Sequence, residues 1–366
     1  MGISSRRLTT SFVRIFPGFH TPHVSPAHLE DVCRVLQEQV IPGAVISHTT
    51  AAALYGIPLP WHTDGGISLL RTTWSAGHER TTLFRSPGPA ALRGSDADLA
   101  RSTPADAPDL CIPHLHCTVA PGANTSAGPR VTVHRTLDHM SRTRDGLRIP
   151  APGQMLLELA LLLPHEDVVI ALDHVLGPTT PFGHLTREEL RDRLEPYLGR
   201  RGGRRLLTAL DDAREGVESP GETRTRLLLT RAGFPEPTIN LPVTDPDTGR
   251  PRRLDLAFED LQVAIEYDGD WHREQDVWRE DHARQDSLES VGWAFRRLNA
   301  GDLAQPERFL DALRRTMLAR GGNVPARSRW ADGALTPGAV RAREHAARRR
   351  GASGRNVSAR AQRRAA

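Results

Sequence analysis

Two short runs, RLDLAF at 253–258 and VAIEYD at 263–268, alternate apolar residues with acidic or small ones across a four-residue link. Period-two alternation puts successive side chains on opposite faces of a strand, and so short a link predicts a hairpin. Leu254, Leu256 and Phe258 then share one face, as do Val263, Ile265 and Tyr267. The other face carries Asp255, Ala257, Ala264, Glu266 and Asp268. Three carboxylates so close repel one another unless protons or a cation neutralise them. Hard oxygen ligands suit Mg²⁺ or Mn²⁺, and Mg²⁺ takes one or two carboxylates with water and phosphate oxygen. A merely wet sheet face would mix Thr, Lys, Arg and Gln with its acids, whereas here the neighbours are alanines.

From 217 to 318 the pattern reads helix, strands, helix, strand, helix. TRTRLLLTRAG is an amphipathic helix stopped by Gly233, TINLPV precedes the acidic hairpin, and DVWREDHARQDSLESVG is helical. WAFRRLN and PERFLDALRRTML supply the last strand and helix. Upstream, 26–40 and 47–56 are helical candidates, and 115–135 reads as two strands around a long turn. Residues 72–108 lack a sustained period and read as a loose insertion. Four helices are predicted over 153–213, the third started by a Thr186/Glu189 capping box.

The chain has 366 residues, enough for two or three domains, with 38% apolar residues, 31 Gly and 28 Pro, which implies substantial loop length. The longest apolar patch, MLLELALLL at 155–163, is broken by Glu158 and followed by Pro164, too short to cross a bilayer. The N-terminal stretch lacks the apolar core of a signal peptide. Three cysteines make no disulfide framework. These features predict a cytoplasmic protein with no membrane partner. CIPHLHC at 111–117 gathers Cys111, His114, His116 and Cys117, but its spacing matches no familiar structural-zinc pattern. In a strand, Cys117 would point away from the two histidines. All 48 basic residues are arginine. Eleven of them follow residue 320, against only Asp332 and Glu344, so the basic balance belongs to the tail and the preceding chain is net acidic. The stretch 319–366 has no core pattern and is expected to be disordered.

The run SPGETRTRLLLTRAGFPEP…RLDLAFEDLQVAIEYDGDWH…WREDHARQDSLESVGWAFRRLNAGDL resembles the Vsr-like endonuclease domain, named for very-short-patch-repair enzymes, a branch of the PD-(D/E)xK restriction-endonuclease-like superfamily. The resemblance covers 217–318. It implies an αβββαβα core and Mg²⁺- or Mn²⁺-dependent phosphodiester cleavage of DNA. Asp255 matches the metal-binding aspartate and Glu266 the acidic residue of the (D/E)xK element. Glu222 matches an acidic helix position, and Asp268 and His272 fall near the expected metal and scissile phosphate. Asp268 stands where the superfamily has lysine, so the attacking water would be activated by metal, with His272 as candidate acid/base. Arg279, Asp281 and Arg284 lie on the following helix. Arg284 and Arg296 are the expected DNA contacts, Arg296 either meeting a phosphate or pairing with Asp281. Trp271 and Trp293 read as core anchors.

The front half, through RRLTTSFVRIFPGFH, IPGAVISHTTAAALYGIPLP, VTVHRT and the 153–213 helices, is similar to AbiEi-like type IV antitoxin proteins. Only about a dozen residues precede VRIFPGFH where the family carries a winged helix, so that element is expected to be truncated. This leaves the front half open to a scaffold or protein-partner role. The expected organisation is a multidomain α+β and α/β chain. Residues 1–150 form the AbiEi-like region, 151–216 a helical region, 217–318 the restriction-endonuclease-like domain and 319–366 the tail. The expected function is a metal-dependent endonuclease or nickase in repair, restriction or phage defence. The alternative is a non-catalytic DNA-binding or antitoxin-like regulator on a degenerate nuclease fold.

Overall fold

The computed structural model describes residues 12–22, 28–59, 69–75, 78–84, 114–123, 125–128, 131–268, 285–344 and 346. The chain divides into two compact units, Met1–Glu218 and Ser219–Ala366. Regions 1–150 and 151–216 therefore belong to one unit. Helices and strands are mixed in both. No helix among the described residues is long and apolar enough to cross a membrane.

The first unit begins with an antiparallel pair, β1 (Phe12–Phe16) and β2 (Phe19–Pro22). Helix α1 (Leu29–Val35) buries Leu29, Val32 and Cys33 and is followed by a wider turn over Leu36–Val40. Strand β3 (Val45–Ile46) leads into α2 (His48–Leu54). Strands β4 (Leu69–Ser75) and β5 (His78–Phe84) form an antiparallel hairpin inside the stretch that the sequence marks as a loose insertion. The rest of that stretch lies outside the described residues. Strands β6 (Leu115–Val119) and β7 (Val131–Arg135) are the two expected around the long turn, and they pair in parallel, with β3 antiparallel on the other side of β6. A second hairpin, β8 (Ser141–Arg144) and β9 (Leu147–Pro150), precedes four helices.

Those helices are α3 (Pro152–Leu162), α4 (His165–Leu176), α5 (Arg187–Leu198) and α6 (Gly203–Asp212). Their boundaries follow local chemistry. Proline at the first position starts α3, and Pro164 precedes α4. The Thr186 hydroxyl accepts from the Glu189 N–H while Glu189 accepts from the Thr186 N–H, completing the capping box of α5. Helix α3 buries a continuous run from Gln154 to Ala160, including Glu158.

The second unit is built on a four-stranded sheet in the order β10 (Thr238–Thr244), β11 (Pro251–Phe258), β12 (Val263–Tyr267), β13 (Ala294–Leu298). The first three strands are antiparallel, and β13 runs parallel to β12. Helix α7 (Pro220–Ala232) precedes the sheet, capped by the Ser219 hydroxyl and ended by Gly233 at φ +90°, a conformation only glycine adopts without cost. Residues 285–290 are helical. Helices α8 (Ala300–Ala304) and α9 (Glu307–Ala319) follow β13.

Both faces of this sheet are covered. One packs Leu256, Phe258, Val263, Ile265 and Leu298 against α7, α9 and Trp330. The other packs Leu241, Leu254, Ala257, Ala264 and Phe295 with Leu288. The expectation that Leu254 shares a face with Leu256 and Phe258 therefore fails. Asn240, in the left-handed conformation at φ +48°, lies between the paired positions Ile239↔Leu256 and Leu241↔Leu254, and the packing changes face there. A left-handed residue interrupts the alternation on which the sequence reading relies.

The expectation of disorder from 319 onward also fails through residue 344. Trp330 is fully buried and stacks on Phe234 with ring centroids 5.6 Å apart. Its indole N–H donates to Asp311 at 3.0 Å, and Arg327 donates to both Asp311 oxygens. Residues 337–344 are helical. An aromatic anchor in an Arg-, Ala- and Gly-rich stretch leaves no periodic trace, so the sequence pattern concealed it.

Trp330→Ala is expected to cost about 3–5 kcal/mol, read as a lowered midpoint in urea denaturation. Burial pushes the Asp311 carboxyl up, but hydrogen bonds from Trp330 and Arg327 outweigh it and hold the group below its ordinary value. A depressed carboxylate stabilises the fold above its unfolded pKa, and that contribution disappears as pH falls through the folded value. The stability gap between wild type and Asp311→Asn should be widest near neutrality and shrink below about pH 4, measured by denaturation at several pH values.

Candidate active site

The β11/β12 ladder pairs Phe258 with Val263, Ala257 with Ala264 and Leu256 with Ile265, so Asp255 and Glu266 follow just past its last paired position. On the outer sides, β10 brings Asn240 beside Asp255, and β13 pairs Arg297 with Glu266. Four polar residues thus form one row across the sheet. The Tyr267 N–H donates to Asp255 Oδ2 at 3.1 Å, and Arg297 Nε donates to Glu266 Oε2 at 3.3 Å. Asp255 and Glu266 are half-buried, while Ala257 and Ala264 on the same strands are fully buried. The acid-bearing strands are therefore covered by apolar packing next to the acids.

Glu222 joins this row from α7. It is buried, sits in the first turn, and accepts from Asn240 Nδ2 at 3.4 Å. The approach of α7 depends on Gly221: a Cβ there would meet the Tyr267 ring at 2.1 Å. Tyr267 in turn supplies the N–H that holds Asp255. Asp268 is exposed just past β12, tied by its N–H to the Leu298 carbonyl at 2.8 Å.

The arginine assignment changes. Arg296 Nε donates to Thr316 of α9 at 2.9 Å, and its neighbour Arg297 is the one at Glu266. Consecutive strand residues point to opposite faces, so pairing Arg296 with Ile265 turns it to the α9 side. Trp293 packs with the Leu288 cluster, as expected of a core anchor. His272 and Arg284, with Trp271, Arg279 and Asp281, lie outside the described residues.

The donor set fits a hard divalent cation: carboxylate oxygens, half-buried and separately oriented by an amide, a guanidinium and a carboxamide. Asp255 and Glu266 would be its ligands. Among the described residues, however, three His, Cys, Asp or Glu ligand atoms gather within 4.8 Å of one another in a single place, and it is in the first unit: His48, His116 and His134.

That histidine group was missed. The HLH segment drew attention, but its cysteines do not take part as a zinc reading required. Cys117 is buried, burial pushes its thiol up to about 12, and Cys111 lies outside the described residues. His116 Nδ1 instead faces His134 Nε2 at 2.8 Å, and His48 stacks on His134 with centroids 3.6 Å apart. Beside them, Glu158 interrupts the apolar run of α3. Its Oε1 accepts from His139 at 2.8 Å and from Gln154 at 2.9 Å, and its Oε2 accepts from the His48 N–H at 2.8 Å. Burial pushes the Glu158 carboxyl up, but the His139 hydrogen bond and the other partners leave it below its ordinary value. A carboxylate inside an apolar helix run was the available signal.

Two consequences are measurable. Gly221→Ala must move α7 or Tyr267, and is expected to destabilise the second unit by about 1–3 kcal/mol in chemical denaturation. Glu158→Ala strands the donors around it, and is expected to cost about 3 kcal/mol or more, read as a lower unfolding midpoint.

No protein-family model matches the chain, and no solved structure matches it. Two curated relatives do: the uncharacterized proteins MT2308 of Mycobacterium tuberculosis strain CDC 1551 and Rv2248 of strain H37Rv. Each is 26% identical over 178 residues, which is 48% of this chain. The matched stretch spans 63% of the length of each relative.

Proposed function

We propose that the second unit is a divalent-metal-dependent phosphodiesterase acting on DNA, an endonuclease or nickase. The observation that supports this reading is that Asp255 and Glu266 stand on neighbouring strands just past the last paired positions of β11 and β12, with Glu222 linked to the sheet through Asn240. The order of elements supports it: helix, three antiparallel strands, helix, then a strand parallel to the third. That succession agrees with the αβββαβα core implied by the Vsr-like resemblance, and the half-buried acids agree with its metal positions.

Asp255 and Glu266 would hold Mg²⁺ or Mn²⁺, which, when bound, supplies a water of lowered pKa and neutralises charge on a phosphate. The chain's own groups do the positioning. The Tyr267 amide orients Asp255, and Asn240 links Glu222 to the row. Arg297 lies against Glu266, where a guanidinium can also meet a phosphate oxygen. The sequence has no lysine to accept a proton from water, so in this reading His272 would be the acid/base. Asp268 marks the exposed end of β12, on the approach to the acids.

Supercoiled plasmid incubated with the full chain and Mg²⁺ or Mn²⁺ should be nicked or linearised. EDTA should abolish cleavage. Asp255→Ala and Glu266→Ala should each lower the rate about 100-fold or more, the loss of several kcal/mol of transition-state stabilisation. DNA binding that survives both substitutions, without cleavage of plain or mismatched DNA by the wild type, would replace this reading with the regulator.

A further inference from the structure

The first unit carries a second cluster with different chemistry. His48 opens α2, His116 lies in β6 and His134 in β7, so three separate elements deliver one imidazole each. The parallel pairing of β6 and β7 brings two of these elements together. Backbone bonds lock the third: the Ser47 N–H donates to the His116 carbonyl at 3.0 Å, and the His116 N–H donates to the Thr50 hydroxyl at 2.8 Å. His48 itself is held at φ +51°, a conformation that a non-glycine residue takes only at a cost.

We propose that His48, His116 and His134 form a binding site for a divalent transition metal of zinc-like chemistry. Three ligand nitrogens already lie within 4.8 Å of one another. Imidazole nitrogen is the donor that suits zinc, cobalt, nickel and copper and does not suit Mg²⁺ or Ca²⁺. The site is also buried: His48 and His116 are 8% and 1% exposed. His116 Nδ1 and His134 Nε2 face each other at 2.8 Å, a contact that needs one proton between two nitrogens. A cation replaces that proton and binds both lone pairs, with the nitrogens parting by a few tenths of an ångström.

The surroundings fit the same role. Nδ1 of His48 contacts the Ser47 hydroxyl at 3.0 Å and lies 3.7 Å from Glu158 Oε2, which leaves Nε2 as the ligand atom. Glu158 Oε2 accepts from the His48 backbone N–H, which anchors the residue that carries the ring. Glu158 is itself fixed by His139, Gln154 and the His48 amide. No fourth His, Cys, Asp or Glu joins the group among the described residues.

The test uses the full chain, stripped of metal and titrated with Zn²⁺ or Co²⁺ by calorimetry and visible absorption. One equivalent is expected to bind, with the intense visible bands of four-coordinate cobalt. His116→Gln and His134→Gln should each weaken binding at least about 10–100-fold, with circular dichroism unchanged. His114→Gln and the Asp255→Ala/Glu266→Ala pair should leave it intact, which separates this site from the acidic row. X-ray absorption at the zinc edge of the wild type needs no variant to fold. Three imidazole nitrogens at about 2.0–2.1 Å with one further light atom are expected. Sulfur scattering near 2.3 Å, no binding at micromolar metal, or binding unchanged in the His116 and His134 variants would overturn the proposal.

Discussion

The antiparallel ladder between β11 and β12 decides where two negative charges sit, and much of the second unit is arranged around that placement. Like charges on neighbouring strands destabilise a sheet. The chain keeps them because each acid has a compensating group: the Tyr267 amide for Asp255, the Arg297 guanidinium for Glu266. Fully buried alanines on the same strands let Leu288 and Phe295 pack close beside the acids. Low solvent exposure strengthens every charge interaction in the row. Groups of the chain itself thus offset the repulsion between the two acids.

The first unit meets a similar cost in another way. Glu158 is surrounded by apolar helix neighbours yet accepts three hydrogen bonds from partners that come from α2, α3 and the segment before β8. A buried carboxylate satisfied in this way ties those elements into one arrangement. The histidines beside it pack against one another, His48 and His116 each stacking on His134.

Trp330 shows how a stretch without pattern can still carry a core. Its ring fills the space between Phe234 and α9, and its N–H is satisfied by Asp311. The surrounding residues are small, basic or glycine, so neither hydrophobic periodicity nor a run of apolar residues announces it. One large buried side chain, correctly partnered, can order a segment that composition alone assigns to solvent.

Local chemistry was legible from the amino acids alone. The capping box at Thr186, the stop at Gly233, the acidic hairpin and the helix before it all rest on interactions within a few residues, and each has the expected form. Alternation also placed Glu266 with Ala264, and it failed at Leu254, which packs on the opposite face from Leu256. Tertiary structure decided the rest. It chose Arg297 over Arg296 as the neighbour of Glu266, paired β6 with β7 in parallel, and brought His48 to His116 and His134. Periodicity states which face a side chain occupies, but the partner on that face comes from a distant part of the chain, and only the packed fold brings the two together.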